Sequence, residues 1–275
     1  MKILLTIGDM SITGGAERVV ANLANMFVQN GHNVQILSFF RANASIPYAL
    51  DERVNLAYMY EQGEGALKAQ GGAFKRFYMK NLFKFFVSLR VWRAYQADCV
   101  IANDWIYTPF FKHKRTHYVK VLHLNFSRYN KRNNYFDTLV LLSHAEISHY
   151  TPHHKNVCII PNFLPTLPTQ TTDYTQKIVL SVGRMDSGDQ KGFFRLIDIW
   201  EMVVKQTQTD SQNGWQLHIV GDGVLRQELQ KTIQSKGLQD SIILKPFTKD
   251  IEQEYLNASI YAMSSYYEGL PMVLI

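Results

Sequence analysis

Apolar and polar positions divide the chain into short alternating blocks. Lys2 to Ile7 is a compact apolar run stopped by Gly8, the pattern of a strand covered on both faces. After a loop containing Gly14-Gly15, the residues Ala16, Val19, Val20, Leu23, Ala24 and Phe27 recur at helical spacing. Gly31 stands where a helix C-cap glycine belongs. Val34 to Phe40 is apolar again. Strand, glycine loop, helix and strand make a βαβ opening, which predicts a parallel sheet. Further strands are predicted over 98–103, 118–123 and 138–143. Residues 164–176 carry two prolines and five threonines without a period, and they read as a linker. Then the alternation restarts. Strands are predicted over 178–181, 216–220, 241–247 and 259–264. Helices are predicted through Phe194, Ile197, Trp200 and Val204, over 225–235 and over 250–257. The pattern gives two α/β units, 1–163 and 177–275, joined by 164–176.

Composition narrows the picture. Of 275 residues 46% are hydrophobic, enough for a sizeable core. Cys99 and Cys158 are far apart and match no metal or redox spacing, as suits a reducing compartment. The opening apolar run is too short for a signal peptide, and no apolar stretch approaches the roughly 18 residues of a membrane span. The expected location is cytoplasmic, at most peripheral on the inner face of a membrane. The net charge of +6 is local: residues 68–132 hold 14 Lys/Arg against Asp98 and Asp104, while the rest holds 15 basic and 21 acidic residues. That excess asks for an anionic partner. Phe74, Phe77, Tyr78, Leu82, Phe85, Phe86, Leu89 and Trp92 share one helical face, with Lys75, Arg76, Lys80 and Lys84 largely off it. An anionic membrane surface is the expected partner, although the aromatic face has a plainer use in packing on the sheet. No nucleic-acid module is recognisable.

Several residues carry candidate chemistry. Gly14-Gly15 lies where the first strand meets the first helix. Backbone there can approach a phosphate, and the helix N-terminus supplies N–H groups; a structural turn explains the glycines equally well. Gly8 and Gly14-Gly15 do not make the G-x-G-x-x-G fingerprint, and Phe39-Phe40-Arg41 stands where a ribose-binding acid would be, which disfavours a nicotinamide enzyme. Arg184 follows the strand that opens the second unit, and Lys191 precedes the next helix. Both fall at the carboxyl edge of a parallel sheet, where a fork and a point charge suit a diphosphate. Two surface cations would look the same. Glu268 sits between a strand and Gly-Leu-Pro. It is placed either to accept sugar hydroxyls or simply to complement a helix dipole. His123 closes an apolar strand, where a satisfied core histidine is the commoner case. Asp222 reads as a turn former.

Taken together, ILLTIGDMSITGGAERVVANLA, VLHLNF, CIIPNF, VLSVGRMDSGDQKGFFRLI, WQLHIVGDG and SSYYEGLPMVLI resemble retaining glycosyltransferases of the GT-B architecture, glycosyltransferase family 4. The resemblance spans the chain and is strongest over 177–275. It implies an α/β fold of two Rossmann-like parallel-sheet domains facing a cleft, the first on the acceptor side and the second binding the nucleotide sugar. It further implies that Gly14 and Gly15 approach the donor diphosphate and that Arg184 and Lys191 neutralise it. Glu268 would hold donor-sugar hydroxyls as the first carboxylate of the family's pair, and the backbone of Gly269, Leu270, Pro271, Met272 and Val273 would line the site. His123 would face the donor sugar. The second carboxylate would fall one position past Ile275. The second domain is therefore expected to be incomplete, and the chain as it stands is not expected to transfer sugar at a useful rate. The expected reaction moves a hexose from a nucleotide diphosphate sugar, such as a UDP- or GDP-hexose, to a glycan or lipid-linked acceptor with retention. The biological setting implied is bacterial surface polysaccharide or lipopolysaccharide synthesis. No D-x-D motif occurs, so neither an essential metal nor any cofactor is expected. A sugar-nucleotide epimerase, a phosphorylase (for which no pyridoxal lysine is identifiable) and a non-catalytic nucleotide-sugar binder are the alternatives.

Overall fold

The computed structural model describes residues 1–69, 78, 82–165, 169–206, 214–248 and 250–274. Residues 74–77 and 80 of the expected amphipathic face, residues 166–168 of the expected linker, and Ile275 lie outside them. The chain forms two compact units, one of Met1–Pro165 with Gly269–Ile275 and one of Thr166–Glu268.

The first unit is built on a seven-stranded parallel sheet in the order β3-β2-β1-β4-β5-β6-β7. The strands are β1 (Lys2–Asp9), β2 (Asn33–Phe40), β3 (Asn55–Tyr58), β4 (Cys99–Ala102), β5 (His117–Leu122), β6 (Thr138–Leu141) and β7 (Val157–Ile159). Helices α1 (Gly15–Gln29), α2 (Glu64–Ala69), α3 (Phe83–Ala94) and α4 (Ile147–Tyr150) connect them. The strand period sorts the core onto two faces. Ile3, Leu5 and Ile7 of β1 pack with Val20, Ala24 and Val28 of α1. Leu4, between them, joins Phe83, Val87 and Val91 of α3 on the opposite face. Gly31, with φ 78°, ends α1 as its position in the sequence predicts.

The second unit holds a four-stranded parallel sheet in the order β10-β9-β8-β11. Its strands are β8 (Ile178–Val182), β9 (Gln216–Val220), β10 (Ile242–Lys245) and β11 (Ile260–Tyr261). Its helices are α5 (Phe193–Gln206), α6 (Arg226–Ser235) and α7 (Ile251–Leu256). Val179 and Leu217 pack under Leu196, Ile197 and Trp200 of α5 and Leu229 and Ile233 of α6. Leu180 and Val220 face Ile251 and Tyr255 of α7.

Both sheets reverse their strand order once, between β1 and β4 and between β8 and β11. Such reversals open a crevice beyond the carboxyl ends of the two strands. The sequence pattern misses the edge strands β3 and β7, which are short and lack fully buried residues. It also overextends β11, which is two residues long rather than six. The apolar run behind Glu268, which the sequence pattern reads as a buried helix, forms a single 3-10 turn over Met272–Leu274. Gly269–Ile275 belongs to the first unit rather than extending the second.

Candidate active site

In the second unit the loops that follow β8 and β11 are stitched together. Gly183 continues the ladder by donating its N–H to Val220 O at 3.1 Å. The stem of Lys191 then folds over it: a Cβ on residue 183 would come within 2.8 Å of Lys191 Cγ and would have to push the stem aside. Gly192 adopts φ 68°, and a Cβ there would meet the carbonyl of Ser264. Ser264 Oγ donates toward the carbonyls of Lys191 and Gly192 at 2.9 and 2.8 Å. Arg195 donates to the carbonyls of Ser264 and Ser265 and lies 4.3 Å from the centre of the Tyr266 ring. Tyr266 N–H donates to Gln190 O at 2.9 Å. Asp189 accepts the amides of Phe193 and Phe194 and so caps α5.

This frame holds Lys191 Nζ 2.6 Å from Glu268 Oε1, with the two side chains only 20% and 15% exposed. Across the same loop, Arg184 is about half exposed, and its Nε lies 3.2 Å from Asp186 Oδ2. Each cation rests on a carboxylate, the arrangement a diphosphate would meet and displace in part. Ser265 Oγ is buried with no hydrogen-bond partner among the described residues. Asp222 accepts the Phe247 amide at 2.8 Å and contacts Arg226 at 3.4 Å, in keeping with a turn former.

In the first unit, Gly14 caps α1 with extended backbone, φ −168°. Its N–H and carbonyl are both engaged by the Tyr48 hydroxyl, at 3.1 and 2.9 Å. Gly15 is exposed, and a Cβ there would find only Met272 Cγ at 3.9 Å, an ordinary contact. Neither backbone angle nor packing demands glycine at 15. His123, at the end of β5, is half-buried, and its Nε2 lies 3.0 Å from Asn103 Oδ1. The Asn103 amide nitrogen donates to Ile101 O at 3.2 Å, which turns Oδ1 toward the ring. That oxygen can only accept, so Nε2 carries the proton and Nδ1 offers a lone pair. Burial, aided by the Lys120 charge, pushes the His123 pKa down to about 4, so the ring is neutral at pH 7.

Beside it, Asp104 is buried and accepts from Thr6 Oγ1 at 2.6 Å and from the amides of Ile106 and Tyr107 at 2.7 and 2.8 Å. Lys120 of β5 is 7% exposed, and its Nζ lies 5.8 Å from the centre of the Phe136 ring. Burial lowers its pKa to about 8, against the opposing pull of Asp104 and with a further push from Lys84. Leu270 packs against Val121, Val140 and Leu142, and its carbonyl accepts from Asn162 Nδ2 at 2.7 Å.

The structure thus brings Arg184, Lys191 and Glu268 onto two neighbouring loops of the second unit. It places Gly14, Gly15, His123 and Gly269 to Val273 in the first. Sequence reasoning passes over Ser264 and Arg195, which build the loop frame, and Asn103, which fixes the histidine tautomer. Their signal is strand adjacency, β8 beside β11 and β4 beside β5, which no local pattern displays.

Residues 13–166 match Glycosyltransferase Family 4, and residues 168–275 match Glycosyl transferases group 1. The amylovoran biosynthesis glycosyltransferase AmsD of Erwinia amylovora is 28% identical over 300 residues, covering 100% of this chain and 77% of its own. A Campylobacter jejuni transferase is 25% identical over 289 residues, covering 100% of this chain and 76% of its own. It is described as the GalNAc-alpha-(1->4)-GalNAc-alpha-(1->3)-diNAcBac-PP-undecaprenol alpha-1,4-N-acetyl-D-galactosaminyltransferase. Among solved structures, a point mutant of Staphylococcus aureus TarM, in complex with Fondaparinux, alpha-GlcNAc-glycerol and UDP, superposes with a TM-score of 0.75 at 14% identity. That match covers 98% of this chain and 82% of the other. Two parallel-sheet units and the structural likeness show the GT-B fold, and a family match over more than half its length shows that this chain belongs to glycosyltransferase family 4.

Proposed function

We propose that the protein transfers a hexose-type sugar from a nucleotide diphosphate sugar to a glycan or lipid-linked acceptor with retention of anomeric configuration, in the synthesis of a bacterial surface polysaccharide. The observation that carries this reading is the Lys191–Glu268 pair, held at 2.6 Å beside Arg184 at a strand-order reversal. Negative charge grows on the departing diphosphate. Lys191, preorganised by the Ser264 contacts, and Arg184 beside Asp186 stabilise it more in the transition state than in the bound donor. Glu268 accepts donor-sugar hydroxyls while steadying Lys191. Neutral His123 offers Nδ1 to a sugar hydroxyl. Gly14 and Gly15 form the loop that approaches the donor phosphates, with Gly15 exposed and Gly14 held by the Tyr48 hydroxyl, and Gly269 to Val273 contribute backbone polar groups. Cationic side chains take the place of a metal, so chelation is expected to leave turnover intact.

The UDP bound in the TarM structure and the lipid-linked acceptor in the Campylobacter transferase's name support a UDP-sugar donor and a glycolipid acceptor. No described helix is long and apolar enough to cross a membrane. A cytoplasmic protein resting on the inner membrane through residues 68–132 fits the local charge and the exposed Leu82, Phe85 and Phe86. The test is a panel of UDP- and GDP-sugars with a short glycan acceptor, scored by product formation and by the anomeric configuration of the new bond. Free nucleotide released equally with and without acceptor would overturn transfer in favour of donor hydrolysis or epimerisation. An inverted linkage would overturn retention.

A further inference from the structure

Gly14 sets the entry to α1, and it is held by a segment from beyond the next strand. Residues 41–54, between β2 and β3, are tied back to the loop that leaves β1 and to α1 itself. At one end Ala42 N–H donates to Asp9 Oδ2 at 2.8 Å. Asn43 donates its N–H to Ser11 Oγ at 2.9 Å and its Nδ2 to Ser11 O at 3.0 Å. At the other end Asn25 of α1 donates Nδ2 to Ala49 O at 3.0 Å and accepts the Asp51 N–H at 2.8 Å. Between these ties Ile46, Tyr48 and Leu50 pack, as Ala16 does, against the core beneath α1. The Tyr48 hydroxyl meets Gly14, accepting its N–H at 3.1 Å and donating to its carbonyl at 2.9 Å. Extended backbone turns both groups of a residue to one side, so a single hydroxyl, with one proton and two lone pairs, reaches both. The same carbonyl accepts Arg18 N–H at 3.1 Å, which opens the helix. A helix is commonly started by Ser, Thr, Asp or Asn, whose side chain takes an amide of the first turn. Here the residue at that position has no side chain, and no side-chain cap is made. The phenol fastens Gly14, ahead of the helix proper, where a capping side chain would fasten the first turn itself.

We propose that Tyr48 is a positioning residue for the donor site: its hydroxyl fixes Gly14 so that the amides of Gly15 and Ala16 are presented to the donor diphosphate. The proposal rests on the donor reading above. Two successive glycines make a loop with wide conformational freedom, and a misplacement of about 1 Å in a binding contact can cost on the order of a hundredfold in rate. A capping side chain would restrain the loop but compete with the phosphate for the first amides. A tether on the residue before them restrains the loop and leaves the helix start to the anion. The exposure of Gly15 fits this division, with the loop tied at its root and open at its tip. Tyr48 acts through Gly14 and not on the donor, so its loss should weaken binding without changing the chemistry of the step.

The test follows the Gly15 amide by NMR in glycine-labelled protein, assigned with Gly15→Ala, while UDP or, in a second titration, GDP is added. No turnover is measured. The parent protein is expected to show a saturable shift with one of the two. Tyr48→Phe keeps the ring and loses only the hydroxyl. Its shift should be smaller and need about threefold more nucleotide or beyond, the scale of one neutral hydrogen bond, with the melting midpoint little changed. Before any nucleotide is added, the Gly14 amide should exchange with solvent faster in that variant. Leu50→Ala is the contrast, because it loosens the packing of the same segment and spares the hydroxyl. It should lower the melting midpoint and leave the titration unchanged. Equal titrations in the parent and Tyr48→Phe overturn the role of Tyr48 and leave the donor reading standing. Equal weakening in Tyr48→Phe and Leu50→Ala overturns it too, and assigns the residue to packing. Calorimetric binding of a nucleotide that leaves the Gly15 amide unmoved takes the loop away from the diphosphate, and the proposal falls while nucleotide binding stands. Binding of neither nucleotide removes the donor reading and the proposal with it.

Discussion

The two units carry their polar chemistry in opposite ways. In the second, the charged groups Arg184, Lys191 and Glu268 sit on loops fastened to one another by backbone and side-chain hydrogen bonds, and Arg184 and Lys191 each have a carboxylate at hand. In the first, the polar groups are sunk at strand ends: Asp104 accepts three hydrogen bonds, Lys120 has no ion pair among the described residues, and His123 is held neutral by burial. Preorganised, half-open charge suits a ligand that brings its own counter-charge. Charge sunk at a strand end without a close counter-ion costs stability. The contrast teaches that the same sheet topology can hold its charge on tethered loops or sink it at strand ends.

The sharpest way to break the comparison is to remove the second unit's cations. Arg184→Ala and Lys191→Ala are each expected to lose roughly 2–4 kcal/mol of transition-state stabilisation, read as kcat/KM for the donor. Near-normal turnover in both would detach the loop pair from the chemistry. The first unit answers to stability instead. Lys120→Met relieves a desolvated ammonium and is expected to stabilise the unit by roughly 2–3 kcal/mol at pH 7. The sign follows from the lowered native pKa: the unfolded chain holds the proton up to the ordinary lysine value of 10.5, the native state only to about 8. The advantage of methionine should therefore be full below pH 8 and disappear as pH rises from 8 to 10.5. Urea midpoints at the two ends of that window check this, and equal gains at both would show that the charge is not the cause.

Smaller effects refine the picture. Asn103→Leu removes the acceptor that holds the His123 tautomer, at a cost of about 1–2 kcal/mol for the unmade hydrogen bond. Nitrogen-15 shifts of His123 should move from an Nε2-protonated ring toward a mixture, and a ring unchanged in the variant would place the tautomer's origin elsewhere. The smallest stability effect belongs to Gly15→Ala. Helix propensity favours alanine by under about 1 kcal/mol, and the nearest atom stands off at 3.9 Å. Thermal stability should hold or rise slightly while the donor KM increases. If KM stays constant, the exposed glycine serves only the turn.

Much of this is legible in the chain. The apolar runs at Lys2 to Ile7 and Ile178 to Ser181 give strands, and the parallel α/β alternation places Arg184, Lys191 and Glu268 at one sheet edge although Lys191 and Glu268 are 77 positions apart. What stays hidden depends on which strands are neighbours. Nothing in Tyr118-Val119-Lys120-Val121 marks Lys120 as buried. It is buried because β5 is an interior strand with packing on both faces. Asn103 looks like the polar end of a strand, and only the β4–β5 pairing makes it the partner of His123. Met272–Leu274 reads as the start of a buried helix from its apolarity alone, but apolarity does not distinguish a helix from a turn laid on another surface.

The lysine stem lying over Gly183 has a consequence for how this loop can vary. Surface loops ordinarily tolerate insertions, because closing a slightly longer loop costs little entropy. Here the chain leaves β8, crosses the Asp186 and Asp189 turn, and must return Lys191 to within van der Waals distance of the residue it left. The stretch from Gly183 to Lys191 works as a gauge of fixed length. One residue added or removed would move the ammonium off Glu268 while keeping the charge in the loop, whereas a substitution such as Lys191→Ala removes the charge itself.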